Sequence, residues 1–383
     1  ILKELGRRLA SNTRVTDTVA RVGGDEFLLL LDDADETLSR HLVEFLVTSL
    51  EEPVTVGEHL VKLKLHTGIA MFPDHCETRQ ALRRMANIAL MTAKEEKSKV
   101  VMYAAGQDEQ HLRELAIIHD LPSALRNDEL YLQYQPKIEM DSQRVTQVEA
   151  LVRWRHPQLG FIPPDEFIGL LENAGQISQL TDWVFKEAVR QCREWIDAGY
   201  DLGIAVNISA QDLLDESLPS RIDALLRHYV VQPSRISIEV TESAVIRDPD
   251  RAVSILQEFR RGGLKIALDD FGTGQTSLSL LKQLPLSQVK IDKSFVQTLR
   301  ADSGDAIIVK SIIDLGHNMG LLVTAEGVES NYCWNLLNSY DCDLVQGYLV
   351  SAPLTADELR EWYLRLQERH VNKLDYSFIQ TAG

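Results

Sequence analysis

The chain has little of what several function classes require. It carries only four cysteines in 383 residues, Cys76, Cys192, Cys333 and Cys342, and no two of them form a CxxC pair. That spacing excludes zinc ribbons and redox dithiols, whose sulfurs sit two residues apart. Cys333 and Cys342 are near enough in sequence for a disulfide, yet separated cysteines of this kind are expected as buried free thiols. Cations are also scarce: 40 Lys and Arg against 57 Asp and Glu leave a formal net charge of -17. Sequence-independent binding of polymeric nucleic acid, which needs clustered cations, is excluded. An acidic chain still binds an anionic ligand where metal ions and placed cations reverse the local field. No apolar run approaches the roughly 18 residues of a membrane span, and no secretory signal is visible. The first residue is Ile1, inside a stretch that reads as a helix. The expectation is therefore a set of cytoplasmic domains from a longer protein, which an upstream segment could anchor to a membrane.

What is present is ordinary globular material, 44% hydrophobic and 25% charged, at a length that suits two domains. The division falls near residue 105. Before it, "RVGGDEFLLLLDD" reads as strand, Gly-Gly turn and strand. Helical spacing in "ETLSRHLVEFLVTSL" and "TRQALRRMANIALMTAKEEK", with strand-like alternation in "VKLKLHTGIAMF", completes an α/β unit over 1–105. Residues 106–119 read as a linker helix, 120–365 as a second domain and 366–383 as a tail.

In that second domain short β-branched segments recur: "LYLQYQPKI", "VTQVEALVRW", "GIAVNISA", "RISIEVTES", "LKIALDDF", "SQVKIDKSF", "LLVTAEGVE" and "DLVQGYLV". Amphipathic helical stretches lie between many of them. Repeated β-then-α units imply a largely parallel sheet, and about eight of them over roughly 250 residues imply a TIM-type (β/α)8 barrel, with a doubly wound open sheet as the other solution.

Polar residues stand at most of the strand ends: Glu149, Asn207, Glu239 with Glu242, Asp269 with Asp270, Lys290 with Asp292, Glu326 with Glu329, and Gln346. In a parallel barrel these ends meet on one rim, where active sites are assembled. The set is almost wholly hard oxygen donors without His or Cys, which suits Mg²⁺ or Mn²⁺. Asp269 and Asp270 would repel each other in a dry place if both stayed ionised. Two divalent cations beside them would resolve that, and such a pair suits in-line attack on phosphorus. Any one such carboxylate alone reads more simply as a helix cap. In "VKIDKS" the alternation puts Lys290 and Asp292 on one side of the strand. Lys290 is then either a fixed cation near a phosphate or half of a Lys290–Asp292 rim pair.

The motifs carry a resemblance. "EALVRW" at 149–154, "QPK" at 135–137, "NIS" at 207–209, "EVTE" at 239–242, "DDFGTG" at 269–274, "KID" at 290–292, "AEGVE" at 325–329 and "QGY" at 346–348 resemble the EAL domain, the phosphodiesterase family acting on cyclic di-GMP. The resemblance implies a TIM-like barrel with one strand reversed, two Mg²⁺ or Mn²⁺ ions, and cleavage of cyclic di-GMP to linear pGpG. It implies metal ligation by Glu149, Asn207, Glu239, Asp269 and Asp270, and catalytic roles for Glu326, Lys290, Glu149 and Asp269. It implies substrate contacts at Gln135, Leu151, Arg153, Asp292, Glu329 and Gln346, a loop anchor at Glu242, and a homodimer formed through EAL domains. Gln275, where the family often has an aromatic residue, is a departure.

The first unit resembles the C-terminal half of a GGDEF domain, the diguanylate cyclase family. "GGDEF" is Gly23, Gly24, Asp25, Glu26 and Phe27, and "RVTD" supplies Arg14 and Asp17 as candidates for the family's inhibitory cyclic di-GMP site. The family's first strand is missing, and "KSK" stands where a Gly-Arg-Asn-like stretch is usual. The expected role is regulatory, with GTP as a further ligand. A receptor that binds cyclic di-GMP without turnover, and a bifunctional cyclase–phosphodiesterase, are the competing readings.

Overall fold

Alternating apolar residues in the second half of the chain build eight strands that close on themselves. The computed structural model describes residues 1–56, 59–274 and 277–371, so Gln275 lies outside the described residues, as does the expected tail beyond 371. The chain divides into two units, Ile1–Ala116 and the remainder from Ile117.

The barrel strands are β1 (Leu130–Glu139), β2 (Val145–His156), β3 (Gly203–Asn207), β4 (Ile236–Thr241), β5 (Lys265–Phe271), β6 (Gln288–Ile291), β7 (Leu322–Ala325) and β8 (Leu344–Val345). From β2 through β8 neighbouring strands run parallel. The first strand, β1, lies antiparallel between β8 and β2 and closes the ring. This is a closed barrel, not an open doubly wound sheet, and it has one reversed strand, as the family resemblance implied. Strand β4 shows why the segments read as nearly continuous apolar runs: Ile236, Ile238 and Val240 are fully buried outward against helices, while Ser237 and Glu239 are buried inward.

Helices follow the strands with ordinary start and stop signals. Asp248 caps the helix Pro249–Arg261 by accepting from Arg251 N–H, and Arg260 and Arg261 lie in its last turn, where cations complement the dipole. Trp154 is fully buried edge-on to Phe167, and His156 Nδ1 accepts the backbone N–H of Gln158 and Leu159, fixing the turn after β2. All four cysteines are buried free thiols. Among the described residues no helix is long and apolar enough to cross a membrane.

Two boundaries differ from the sequence reading. The helix expected over 106–119 runs from Gln107 to Ala124, and Ile117, Leu121 and Ala124 are buried in the barrel's core. The last helix, Ala356–Val371, passes the expected boundary at 365. Both differences have one cause: helical periodicity continues where packing against the barrel supplies a buried face.

The first unit has its own small α/β core. Thr18–Gly23 and Glu26–Leu30 form the expected hairpin, turned at Gly24, whose φ of +49° favours glycine. Asp25 and Glu26 are exposed at its tip, while Phe27 packs inward. Asp17 Oδ2 accepts Arg14 N–H and its Oδ1 accepts Asp32 N–H, leaving the Arg14 side chain exposed.

The fold makes a stability prediction. All five tryptophans lie in the barrel unit, so their fluorescence reports its unfolding. Leu121→Ala should destabilise the barrel by about 2–5 kcal/mol in urea. Leu112→Ala, on the same helix but 60% exposed, should change it by less than about 0.5 kcal/mol. Equal effects would show that the helix is a spacer throughout.

Candidate active site

Strand register decides which side chains reach the barrel mouth. Glu149 on β2 stands opposite Gln135 on β1. Asn207 at the end of β3 faces Glu239 on β4, and Thr241 faces Asp269 on β5. Between β5 and β6 the register slips: Leu268 pairs with Val289 and Phe271 with Ile291, so Asp269 and Asp270 together oppose Lys290. This two-against-one arrangement is a β-bulge, with Asp270 at φ +55°. It turns neighbouring carboxylates, which an unbroken strand would send to opposite faces, toward one place.

That place is centred on the Lys290 ammonium, which is fully buried. Lys290 Nζ lies 2.6 Å from Glu239 Oε2, 2.6 Å from Glu326 Oε1, 2.9 Å from Asp269 Oδ2 and 3.6 Å from Glu149 Oε2. Its ion pairs do not include Asp292, so the rim-pair reading is corrected. Strand β6 ends at Ile291, and Asp292 instead caps the next helix, accepting Ser294 N–H at 3.0 Å, and shares a hydrogen bond with Asp270.

An amide chain holds Glu149. Its Oε1 accepts Asn207 Nδ2–H at 2.7 Å and its Oε2 accepts Gln346 Nε2–H at 2.7 Å. Gln346 also donates to Gln135 Oε1 at 2.9 Å, and Gln135 donates to the Ser351 carbonyl at 3.1 Å. The buried Gln346 Oε1 has no partner among the described residues.

Charge crowding redistributes protons. Burial alone would raise Glu149, but Lys290, Lys137 and the two amides outweigh it and hold its carboxyl down at about 2. Burial would likewise lower Lys290, yet Asp269, Glu149, Glu239 and Glu326 raise it well above the ordinary lysine value. Glu326 is pushed up to about 8 by burial, against the pull of Lys290 and with the carboxylates of Asp269 and Glu149 adding to the rise. Burial, Asp269 and Asp292 push Asp270 up to about 6. Protons are therefore held most readily by Glu326 and Asp270.

The loop after β5 is anchored by Glu242. This buried carboxylate accepts Gly272 N–H at 3.3 Å and Gly274 N–H at 3.1 Å. A Cβ on Gly274 would lie 2.7 Å from Glu242 Cδ, so a larger residue would displace the carboxylate from this contact. At the rim, Leu151 and Arg153 share the face of β2 that carries Glu149. Arg153 Nε donates to Gln133 Oε1 at 2.8 Å. Glu329 is exposed and accepts Gln297 Nε2–H at 2.9 Å, outside the central cluster.

Sequence reasoning assigns Lys137 no role beyond its place in "QPK". It is fully buried and donates to Glu239 Oε1. The available signal was a lysine on the same strand face as Gln135, inside an otherwise buried segment.

The donor set fits hard divalent cations. It consists of oxygens, with five carboxylates (Glu149, Glu239, Asp269, Asp270, Glu326) around two ammonium groups (Lys137, Lys290). One oxygen from each of Asp269, Asp270 and Glu326 lies within 4.8 Å of the others.

Comparison with known proteins gives the family of each part of the chain. The EAL domain family pattern matches residues 118–353, and that of the diguanylate cyclase, GGDEF domain family matches residues 1–99. The chain is 39% identical over 362 residues to the bifunctional diguanylate cyclase/cyclic di-GMP phosphodiesterase MucR of Pseudomonas aeruginosa, covering 94% of this chain and 53% of that protein. It is 34% identical over 370 residues to the cyclic di-GMP phosphodiesterase PdeR of Escherichia coli, covering 96% and 56% respectively. It thus spans about half the length of the curated relatives it matches. A solved structure described as the PaMucR phosphodiesterase, c-di-GMP complex, is 42% identical with a TM-score of 0.61, covering 63% of this chain and 99% of that one.

The site predicts a pH dependence for the cation-free protein. Glu326 and Asp270 have folded pKa values above their unfolded ones, so their stabilising contribution is complete below about pH 4 and is lost as pH rises through about 6 and 8. In EDTA the barrel's Tm should fall between pH 5 and 8, and Glu326→Gln should flatten that fall. A Tm that instead climbs across this window would contradict the placement of the proton.

Proposed function

This chain belongs to the EAL domain family, with a GGDEF-family segment ahead of the barrel, and from that premise we propose that it hydrolyses one phosphodiester bond of cyclic di-GMP to give linear pGpG. The observation that carries the reading is the complete oxygen-donor cluster around Lys290 at the mouth of the barrel. Its substrate is an anion, so a site with surplus negative charge needs added cations to receive it.

Glu149, Asn207, Glu239, Asp269 and Asp270 would hold two Mg²⁺ or Mn²⁺ ions. Such ions supply the charge that makes water acidic enough to act near neutral pH and that stabilises the departing oxygen. The protein's own groups do the rest. Glu326, at the barrel mouth beside the proposed ligands and 2.6 Å from the Lys290 ammonium, is placed to take up a proton, the property of a general base. Lys290 orients that carboxyl from 2.6 Å. Gln135 and Gln346 keep Glu149 from rotating. Arg153, at the rim on the same strand face, offers a guanidinium to a substrate phosphate. Leu151, Asp292 and Glu329 would border the substrate, and Glu242 keeps the loop after Asp270 in its working shape. The GGDEF part acts as regulator, with GTP as its ligand, and the EAL domains pair as a homodimer.

Incubation with cyclic di-GMP in Mg²⁺, in Mn²⁺ and in EDTA, followed by product chromatography, tests the reading; pGpG should appear only with a metal. Glu149→Ala should reduce turnover by more than about 100-fold, since losing a direct ligand costs more than losing its support. Glu326→Gln should lower kcat by about 10²–10⁴-fold while substrate affinity is largely kept. Binding without any product would make the protein a receptor instead.

A further inference from the structure

The barrel interior holds two buried lysines, and they are not equivalent. Lys290 is shared among four carboxylates. Lys137 has one ion-pair partner among the described residues, Glu239. Each lysine holds a different oxygen of that carboxylate, Lys137 the Oε1 and Lys290 the Oε2. Neither Glu239 nor Lys137 has any solvent exposure.

Lys137 reaches Glu239 by an unusual route. Strand β1 pairs with β2 and β8, not with β4, so the Lys137 side chain crosses the barrel interior. Its backbone pairs with Gln147, two residues below the level at which Gln135 faces Glu149. The ammonium therefore supports Glu239 from beneath, on the side away from the rim.

We propose that Lys137 is a positioning residue, the counter-ion that keeps Glu239 aimed at the mouth when a divalent cation competes with Lys290 for the oxygens that Lys290 holds. This rests on the functional reading above. A cation held by Glu149, Glu239 and Asp269 competes with Lys290 for the same oxygens. Glu239, which has no solvent exposure, would then lose one of its two charged donors. Lys137, bound to the other oxygen, stays. The reversed first strand thus has a chemical consequence: it carries a lysine beneath the cluster.

Coulomb's law alone argues the other way, because deleting a cation beside an acidic cluster should tighten binding of another cation. The sign of the effect is therefore decisive. In the full chain, Lys137→Met should weaken Mn²⁺ affinity by about 10–100-fold, measured with Mn²⁺ alone by electron paramagnetic resonance of the free ion. Hydrolysis by this variant should recover in part as Mn²⁺ is raised, which a general packing defect would not allow. In a Glu239→Gln background the same substitution should change Mn²⁺ affinity less than about twofold, since the partner it acts through is already altered. Unchanged or tighter Mn²⁺ binding by Lys137→Met overturns the proposal. Should circular dichroism show that variant unfolded, Lys137→Gln, which keeps a donor without the charge, is held to the same criterion. A parent protein that binds Mn²⁺ but makes no pGpG would refute the hydrolytic reading while leaving the role of Lys137 to the binding comparison; one that binds no Mn²⁺ overturns both.

Discussion

The Lys290 ammonium, enclosed by Glu149, Glu239, Asp269 and Glu326, is the interaction on which the rest of the barrel mouth depends. A lysine so buried would lose its charge without counter-ions, and the carboxylates would lose theirs without a cation. Each stabilises the ionised form of the other, but the numbers are unequal, and the surplus acid must be protonated or must attract further cations. Glu326 and Asp270, both pushed upward, lean toward the first outcome. The proposed activity uses the second. One electrostatic imbalance thus accounts both for a raised carboxyl pKa suited to proton transfer and for affinity toward divalent ions.

Two departures from a regular barrel place these charges. The bulge in β5 lets consecutive aspartates face one region across from Lys290. The reversal of β1 aligns Gln135 with Glu149 and puts Lys137 beneath Glu239. Both departures cost regular ladder geometry, and both occur beside the proposed chemistry. Glu242 then carries the effect outward, since its hydrogen bonds to Gly272 and Gly274 tie the loop after the bulge to the start of the helix Glu242–Arg247, which follows β4. A change in that loop would reach Asp270 through very few bonds.

The N-terminal unit shows a different balance. Its hairpin tip leaves Asp25 and Glu26 exposed, and Asp17 spends both carboxylate oxygens on backbone N–H groups. No metal-ready cluster of carboxylates occurs there among the described residues, whereas the barrel contains one.

Much of this was legible in the amino-acid order. Alternating β-branched segments separated by amphipathic helices specify strands buried on both sides, and polar residues at their ends mark the rim, because strand and helix periodicities are local properties. The ligand candidates Glu149, Asn207, Glu239 and Asp269 could be named from that pattern and from the motifs it contains. Local pattern could not show that Lys290 turns from Asp292 toward carboxylates on three other strands and one just past the end of a fourth, since those contacts depend on barrel closure and register. Nor could it show that Asp269 and Asp270 share a bulge, that Lys137 crosses the interior, or that the helix through Leu121 belongs to the barrel core. Residue types and spacing determined which charges the chain would bury. Only the tertiary structure decided which of them meet, because an ion pair forms between groups brought within a few ångströms by strands far apart in sequence.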